Sequence, residues 1–512
     1  MKKHIRLLLS ALGVYLLLLC LLLAAESASD ASAIRTFGDA VWYSLITVTT
    51  VGYGDLSPVT PLGRLVGILF ALSSVGILAA LIGIALKLVA GKLIPEIRLF
   101  FMRQREWAVF HEVNEESLAL AAAVIEEKPR CTVILPPEGA GAFPGAVCLP
   151  TDAGKLAALR GSKTGLSFFF LGETPWENMS AALVPAGLQL PTFCMSAGTG
   201  SPLPESLRLF SREEALGRFY WQQHPLKKEE KTVILIGCGK GGTALLERAL
   251  LTNIYESGRK TAYHVFQDES GFRNLHPVLA AALDPAVSVD DTLVFHKENW
   301  EEARELLENA GRIILCSDSD GQNLSVFRTL KLWFAGQAPV HVCLENPVPG
   351  VPSFGSLEEL FTPALVIRDA LNRRAMLVNE LYNRNALHPV PWRELSPFLQ
   401  QSNIAAADHL AVKARILLGD EAPADLSDDD FRKAYARYRA LMPVKADSFR
   451  EIEHRRWLRF YQLFNWQYAP QRNDALRLHP QLLPYSELTE EQKQKDDFAW
   501  ELLGMLDTPA NL

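Results

Sequence analysis

The sequence predicts a multidomain membrane protein: an all-α segment of two long apolar helices around a short loop, then two α/β lobes, then a mainly α-helical carboxyl-terminal domain. Two apolar runs, 7–25 and 65–90, carry the first part. The second part rests on short β-rich runs that alternate with helical ones, over 106–225 and again over 230–386, as in parallel sheets. From 387 to 506 the alternation gives way to helical sequence rich in aromatic and charged side chains.

Composition bounds the rest. A formal net charge of -7 with 21% charged residues gives no reason to expect a nucleic-acid partner. The residues after the second apolar run, about 400, suffice for two or three domains. Cys20, Cys131, Cys148, Cys194, Cys238, Cys316 and Cys343 include no CxxC pair, so they read as reduced, mostly buried small hydrophobes rather than disulfides or a zinc site.

Lys2, Lys3 and Arg6 precede the run 7–25, which reaches about 30 Å as a helix and can cross a bilayer. The basic start, the leucine core and the small residues Ala25, Ser27, Ala31 and Ala33 fit a secretory signal peptide equally well. The second run decides for an anchor. It is apolar apart from Ser73, Ser74 and Lys87, and Lys87, Lys92, Arg98, Arg103 and Arg105 end or follow it. Basic residues thus flank both apolar runs, with Glu26, Asp30 and Asp39 between them, which places both termini on the cytoplasmic side of the plasma (inner) membrane.

Between the runs stands Thr50-Val51-Gly52-Tyr53-Gly54-Asp55, preceded by Trp42, Tyr43, Thr47 and Thr49 and followed by Leu56, Ser57 and Pro58. Gly52 and Gly54 permit the φ > 0 conformations that turn successive carbonyls the same way. With the Thr50 hydroxyl, those oxygens can replace the water shell of a dehydrated cation. Gly-Tyr-Gly-Asp alone also occurs in ordinary turns.

The full stretch resembles the pore signature of potassium channels, here in a two-helix plus pore-loop channel domain over 1–91. The resemblance implies a selectivity filter at Thr50–Asp55 with potassium ions at Thr50, Val51, Gly52 and Tyr53. It implies a pore helix over 39–49, and Trp42 and Tyr43 as its filter-bracing aromatics, unless they are simply interfacial. One copy of the loop cannot surround an ion, so a homotetramer in the lipid bilayer follows. The hinge glycine of many relatives falls at Ser74, with Gly76 and Gly83 beyond it; either the bend has moved or the gate closes by apolar contact. Val75, Ala79 and Ile82 share a helical face that lines the inner cavity or meets lipid or a helix.

After a basic linker, 92–105, the first lobe reads as strand 107–110, helix 115–127, and strands 131–135, 146–149 and 166–171. With Gly172-Glu173 and Trp176-Glu177-Asn178 it resembles the first Rossmann-like lobe of a regulator-of-potassium-conductance domain. In place of a phosphate-binding glycine turn it has His111-Glu112-Val113-Asn114, whose side chains would crowd and repel a pyrophosphate. This lobe is therefore expected to be structural or partner-binding.

In the second lobe the strand 232–236 runs into Gly237-Cys238-Gly239-Lys240-Gly241-Gly242 and a helix over 243–251. Gly237 suits the tight turn, Gly239 a close approach to phosphate and Gly242 helix–strand packing. The helix start supplies amides for the anion. Gly237, Gly239, Lys240 and Gly242 are thus candidate nucleotide-binding residues. Asp268, after the strand 262–266, is a partner for a ribose hydroxyl or a capping aspartate. Strand 312–316 ends in Ser317-Asp318-Ser319-Asp320, and with Asn323 this resembles the corresponding family loop; Asp318 and Asn323 either face the ligand or cap a helix. Strand 339–344 and a helix over 363–382 complete the lobe. The resemblance implies a ring of eight Rossmann-like lobes that pulls on the linker, with NAD(H) or an adenine nucleotide as regulatory ligand.

In the last domain, Pro391-Trp392, Ser402-Asn403, Glu453-His454, Trp457, Asn465-Trp466-Gln467-Tyr468 and Leu483-Pro484-Tyr485 resemble the ryanodine-receptor repeat domain of some bacterial proteins, departing from it at Asn465. His454 and Trp457 share a helical face, as core packing or as part of a pocket. In the pocket reading Trp457 and Trp466 stack on a second, unidentified small-molecule ligand and Arg455, Arg456 or Arg472 meets an anion. The expected function is a tetrameric, nucleotide-gated potassium channel and not an enzyme. The alternatives are a membrane-tethered NAD-dependent oxidoreductase, for which no donor and orienting cation stand near the glycine turn, and a non-conducting anchored sensor.

Overall fold

The computed structural model describes the backbone of residues 2–88, 93–196, 203–256, 258–268, 271–334, 336–384, 386–423 and 425–505, with side chains except at 2–12, 73–78, 80–81 and 84–88. The chain divides into two compact units between Met102 and Arg103.

The first unit comprises α1 (Lys2–Glu26), α2 (Phe37–Val48), α3 (Pro61–Leu88) and α4 (Ile94–Phe101). A capping box starts α2: the Thr36 hydroxyl accepts from the Asp39 amide while the Asp39 carboxylate accepts from the Thr36 amide. The expected pore helix therefore begins two residues earlier, at Phe37. Buried Glu26 closes α1, and its carboxylate accepts the Val59 amide at 3.0 Å, the Thr60 amide at 2.9 Å and the Thr60 hydroxyl at 2.6 Å. It thereby ties the end of α1 to the start of α3. A Cβ on Gly63 would lie 1.9 Å from Glu26 Oε1, so only glycine admits the carboxylate there.

Helix α3 runs unbroken through Ser74, Gly76 and Gly83. The side chains of Ser74 and Val75 lie outside the described residues, as does that of Lys87; Ala79 and Ile82 are exposed. Among the described residues no helix is long and apolar enough to cross a membrane. As backbone elements α1 and α3 have 25 and 28 residues.

In the second unit the first lobe contains β1 (Trp107–Phe110), α5 (Glu115–Glu127), β2 (Thr132–Leu135), β3 (Val147–Cys148), α6 (Ala153–Arg160), β4 (Leu166–Phe170), α7 (Pro175–Gly187), β5 (Thr192–Met195) and β6 (Leu207–Phe210). Its sheet has the order β3-β2-β1-β4-β5-β6, parallel throughout. Next, α8 (Arg212–Gln223) crosses to the second lobe. It packs along α9 (Lys240–Thr252), and the two helices approach so closely that a Cβ on Gly217 would lie 2.6 Å from the Ala244 carbonyl oxygen. Trp221 donates its Nε1–H to the Leu245 carbonyl at 2.8 Å.

The second lobe holds β7 (Thr232–Ile236), α9, β8 (Ala262–Phe266), α10 (Phe272–Leu275), α11 (Pro277–Ala282), β9 (Thr292–His296), α12 (Arg304–Glu308), β10 (Arg312–Leu315), α13 (Asp320–Trp333), β11 (Val340–Cys343), β12 (Ser353–Phe354) and α14 (Leu357–Leu360). The order β9-β8-β7-β10-β11-β12 repeats the first sheet, again all parallel. In each lobe the chain reverses direction between the first and fourth strands, which opens a crevice at their carboxyl ends.

The helix expected over 363–382 is corrected to two pieces, a π-helical turn Pro363–Ile367 and α15 (Arg373–Asn383), with Asp369 at φ 51 between them. Ala375, Val378 and Leu381 of α15 share a core with α16 (Pro397–Leu418), α17 (Asp428–Leu463) and, near the end, α19 (Phe498–Met505). The short elements β13 (Gln467–Tyr468), β14 (Leu478–His479) and α18 (Glu490–Gln494) fill the interval, and α17 kinks at Lys445, two residues after Pro443.

Candidate functional site

Two places carry the chemistry expected from the sequence, one in each unit. In the first unit the stretch after α2 alternates in handedness: Thr50, Gly52 and Gly54 stand at φ 61, 57 and 75. The amides of Val51 and Gly52 both bond the Ile46 carbonyl, at 3.0 and 3.2 Å, which pins the start of the stretch to the helix end. Trp42 donates to Asp55 at 2.9 Å and lies parallel to Tyr53, with ring centroids 6.2 Å apart. Tyr43 instead meets α3, its hydroxyl 2.5 Å from the Cβ position of Gly67. Of the two aromatics, Trp42 is therefore the one that touches the loop within the chain. Val51 and Tyr53 are mostly exposed, at 52% and 70%.

In the second unit the glycine turn lies between β7 and α9, facing the loop after β10. Gly237 has φ 84, and a Cβ there would lie 2.6 Å from the Ser317 amide nitrogen. A Cβ on Gly242 would lie 2.6 Å from the Gly237 carbonyl oxygen and 3.0 Å from that of Cys316. These are the tight-turn and close-packing positions expected. Gly239 is the N-cap of α9 and contributes no side-chain cap.

The carboxylate of Asp318 caps that helix instead, accepting the Lys240 amide at 3.0 Å. Its three carboxyl atoms lie 2.3 to 2.5 Å from the Cβ position of Gly239. The spot expected for a phosphate thus holds a carboxylate of the chain itself.

Asp268 and Asn323 have structural partners. Asp268 accepts the Phe272 amide at 3.0 Å, the capping alternative. Asn323 is buried; its Oδ1 accepts the Ser317 amide at 2.9 Å and the Ser317 hydroxyl at 2.8 Å, and its Nδ2 donates to the Ser317 and Cys343 carbonyls at 3.2 and 2.9 Å. It staples the loop after β10 to the end of β11 from within the lobe. Lys240 is exposed beside the turn.

The first lobe repeats the staple. Asn178 Oδ1 accepts the Gly172 amide at 2.9 Å, and its Nδ2 donates to the Gly172 and Met195 carbonyls at 2.7 and 2.9 Å. At the helix start, however, the two lobes differ. Asn114 caps α5 with its own side chain, accepting the Ser117 amide at 2.8 Å and donating to the Leu171 carbonyl at 2.6 Å. The Glu112 carboxylate crowds in beside it, 2.0 to 2.6 Å from the Cβ position of Gly172. Side chains of the segment His111-Glu112-Val113-Asn114 thus stand at the helix start of the first lobe, where the second lobe has glycine.

In the last domain the four candidate pocket residues have packing and bonding partners within the chain. His454 bonds the Leu483 carbonyl at 2.7 Å through Nε2, and burial pushes its pKa down. His479 and Tyr461 fill the space beside both tryptophans: the His479 ring lies 5.1 Å from Trp457 and 6.4 Å from Trp466, and Tyr461 lies 4.4 and 5.1 Å from them. Arg472 is half exposed and paired with Asp474 at 2.7 Å. This is the core-packing alternative.

The residues that sequence reading missed are those that work in pairs. Asn178 was read only as part of a family-like string, and Asn114 only as an obstacle. The signal available for the staples was positional, since Asn178 and Asn323 each follow the end of their lobe's fourth strand by eight residues.

Comparison with known proteins addresses the first unit most directly. Residues 7–90 match the family described as "Ion channel". A "Voltage-gated potassium channel" of Aeropyrum pernix is 46% identical over 52 residues, 10% of this chain and 18% of that protein. A "Calcium-gated potassium channel TvoK" of Thermoplasma volcanium is 48% identical over 50 residues, 10% of this chain and 14% of that protein. The chain thus spans less than a fifth of the length of these curated relatives. Among solved structures, one titled "Crystal structure of the GsuK bound to ADP" aligns with 70% of this chain and 97% of its own at 17% identity and a TM-score of 0.35. Another, "GsuK channel bound to NAD", aligns with 72% and 85% at 13% identity and a TM-score of 0.34. Residues 7–90 thus match an ion-channel family and resemble potassium channels over about fifty residues, in a chain whose other unit carries two Rossmann-like lobes.

Proposed function

We propose that this chain is one subunit of a homotetrameric, potassium-selective channel whose opening is set by a nucleotide on the second lobe. In this reading α1 and α3 span the plasma (inner) membrane with both termini cytoplasmic, and potassium ions sit along Thr50, Val51, Gly52 and Tyr53. The observation that carries it is the loop after α2, with positive φ at every second residue and Trp42 braced on Asp55, inside a segment that matches ion channels. Alternate handedness turns neighbouring carbonyls toward one side, as a row of cation ligands requires. Exposed Leu62, Leu65, Ile68, Leu69 and Leu72 on α3 supply apolar surface for lipid and for further copies.

For the sensor, the glycine turn at a strand–helix junction beside the β7–β10 crevice supports an adenine nucleotide or NAD(H), with the pyrophosphate on the start of α9. Gating then follows only if the ligand binds the open and closed arrangements with different affinity. The carboxyl-terminal domain is a candidate for a second ligand.

The test is flux from liposomes that hold the purified chain, in potassium and then in sodium, across NAD, NADH, adenine mono-, di- and triphosphates and cyclic nucleotides. Potassium-selective flux altered by one nucleotide is the expected result. Selective flux indifferent to all of them removes the second lobe from gating, and absence of flux under every condition overturns the channel reading.

A further inference from the structure

Three of the polar side chains that follow β10, Asp318 in the loop and Asp320 and Asn323 at the start of α13, are held very differently. Asp320 is tied back to the strand beyond, its carboxylate accepting the Glu345 amide at 3.0 Å and the Asn346 amide at 3.3 Å. Asn323 is buried and bonded on both amide atoms. Asp318 alone of the three reaches across to α9, where it lies over Gly239 and accepts the Lys240 amide, and it does so from an exposed position. A carboxylate on a helix start satisfies an orphan amide and meets the positive end of the helix dipole. A phosphate would use the same amide and the same field. The two anions cannot share the position, because the Asp318 carboxyl atoms already stand closer to Gly239 than a Cβ would tolerate.

The comparison with the first lobe sharpens the point. There the N-cap carries its own asparagine side chain, which also bonds the Leu171 carbonyl, so the helix start is closed from inside its own chain segment. In the second lobe the N-cap is bare, and the cap comes from a neighbouring strand's loop on an exposed side chain. A cap of that kind can leave without unfolding the helix.

We propose that Asp318 is a resident stand-in for the phosphate of the ligand: it occupies the start of α9 in the free protein, and a phosphate-bearing ligand binds only by expelling it. Asp318 then sets the affinity threshold of the sensor. This inference rests on the reading of the glycine turn as the nucleotide site and adds the residue that opposes binding there.

The experiment measures ADP binding by calorimetry to the full detergent-solubilised chain, as wild type, Asp318→Asn and Asp318→Ala. Asparagine keeps an oxygen for the Lys240 amide and removes the charge, so it isolates repulsion from capping. Both variants are expected to bind ADP about tenfold more tightly than wild type, through loss of one like charge at close range. The ratio of wild-type to Asp318→Asn affinity should shrink in high salt, because the lost interaction is Coulombic. If wild type binds ADP and Asp318→Asn binds it equally or more weakly, the stand-in is overturned while the site remains, with Asp318 indifferent or a ligand contact. If neither wild type nor either variant binds ADP, the reading of the glycine turn as a nucleotide site falls, and this inference falls with it.

Discussion

At Gly52 the backbone stands at φ 57 and a Cβ would have nothing within 4 Å, whereas at Gly239 a Cβ would run into the Asp318 carboxyl group. The first glycine is needed for its conformation and the second for its emptiness. Gly52→Ala should therefore turn the carbonyl row out of line without disturbing packing. We expect potassium selectivity over sodium to be lost while the purified oligomer keeps its mass, and Tyr53→Ala, which removes the ring stacked on Trp42, to do the same. An unchanged potassium-to-sodium flux ratio in both would remove the filter assignment. Gly239→Asp places a second carboxyl at the helix start and should abolish ADP binding by crowding and repulsion together; binding that survives would locate the nucleotide elsewhere.

Among elements, the two asparagine staples do the same work in both sheets: each holds the loop after the fourth strand to the end of the fifth. Asn323→Ala leaves two part-buried carbonyls and the Ser317 amide without that partner, and should lower the stability of the second unit by about 2 kcal/mol, read as a shift in the urea midpoint at unchanged slope. The same elements show what a sequence discloses. Strands β1, β7 and β8 and helix α5 lie where the alternation of β-rich and helical runs put them, because each is specified by its own residues. The glycine turn was legible for the same reason: its chemistry fits in six consecutive positions. Nothing local to Asp318 says that it will lie on Gly239, 79 residues earlier in the chain, and nothing local to His479 says that it will fill the space between Trp457 and Trp466. Contacts of that range are decided by the sheet order, which sequence period alone leaves open. The single helix expected over 363–382 failed for a local reason, since Asp369 turns left-handed inside it.

At the scale of the molecule, the second unit is held together by buried charge. Arg218 of α8 meets Asp408 of α16 through Nε at 2.8 Å and Nη2 at 3.0 Å, with side-chain exposures of 1% and 5%. Arg459 of α17 meets Asp291 at 2.6 Å, and the Nε2 of His409 bonds the Ile254 carbonyl at 2.8 Å. The carboxyl-terminal domain is therefore clamped to the second lobe. Asp408→Ala would leave the buried Arg218 guanidinium with Glu214, Asn372 and the Leu371 carbonyl but without its bidentate carboxylate, and should cost about 3 kcal/mol, visible as early loss of the domain in limited proteolysis.

Within that domain Glu453 bonds Lys413 at 2.8 Å and Arg456 at 2.6 Å. Nearby, burial, with repulsion from Glu453 added, raises Asp496 to about 8. The folded chain thus holds a proton there that the unfolded chain releases near pH 4, and stability falls as pH rises through that window. His409, pushed down to about 3 by burial and by Lys413, and His454, also lowered by burial, act in the opposite sense. Their contribution is complete above about pH 6.5 and is lost on acidification below it. The unfolding temperature should peak near neutrality, with of the order of 1 kcal/mol lost toward pH 8. Asp496→Asn should flatten the alkaline limb and steepen the acid limb, because the window of Asp496 reaches down to about pH 4 and there opposes the histidines.

The matching strand orders of the two lobes isolate one difference between them. Each sheet has an asparagine that pins the fourth strand's loop, yet the helix start carries asparagine in one lobe and glycine in the other. On the proposed reading, in which the glycine-bearing lobe receives the nucleotide, framework and recognition are divided between the lobes at that single position.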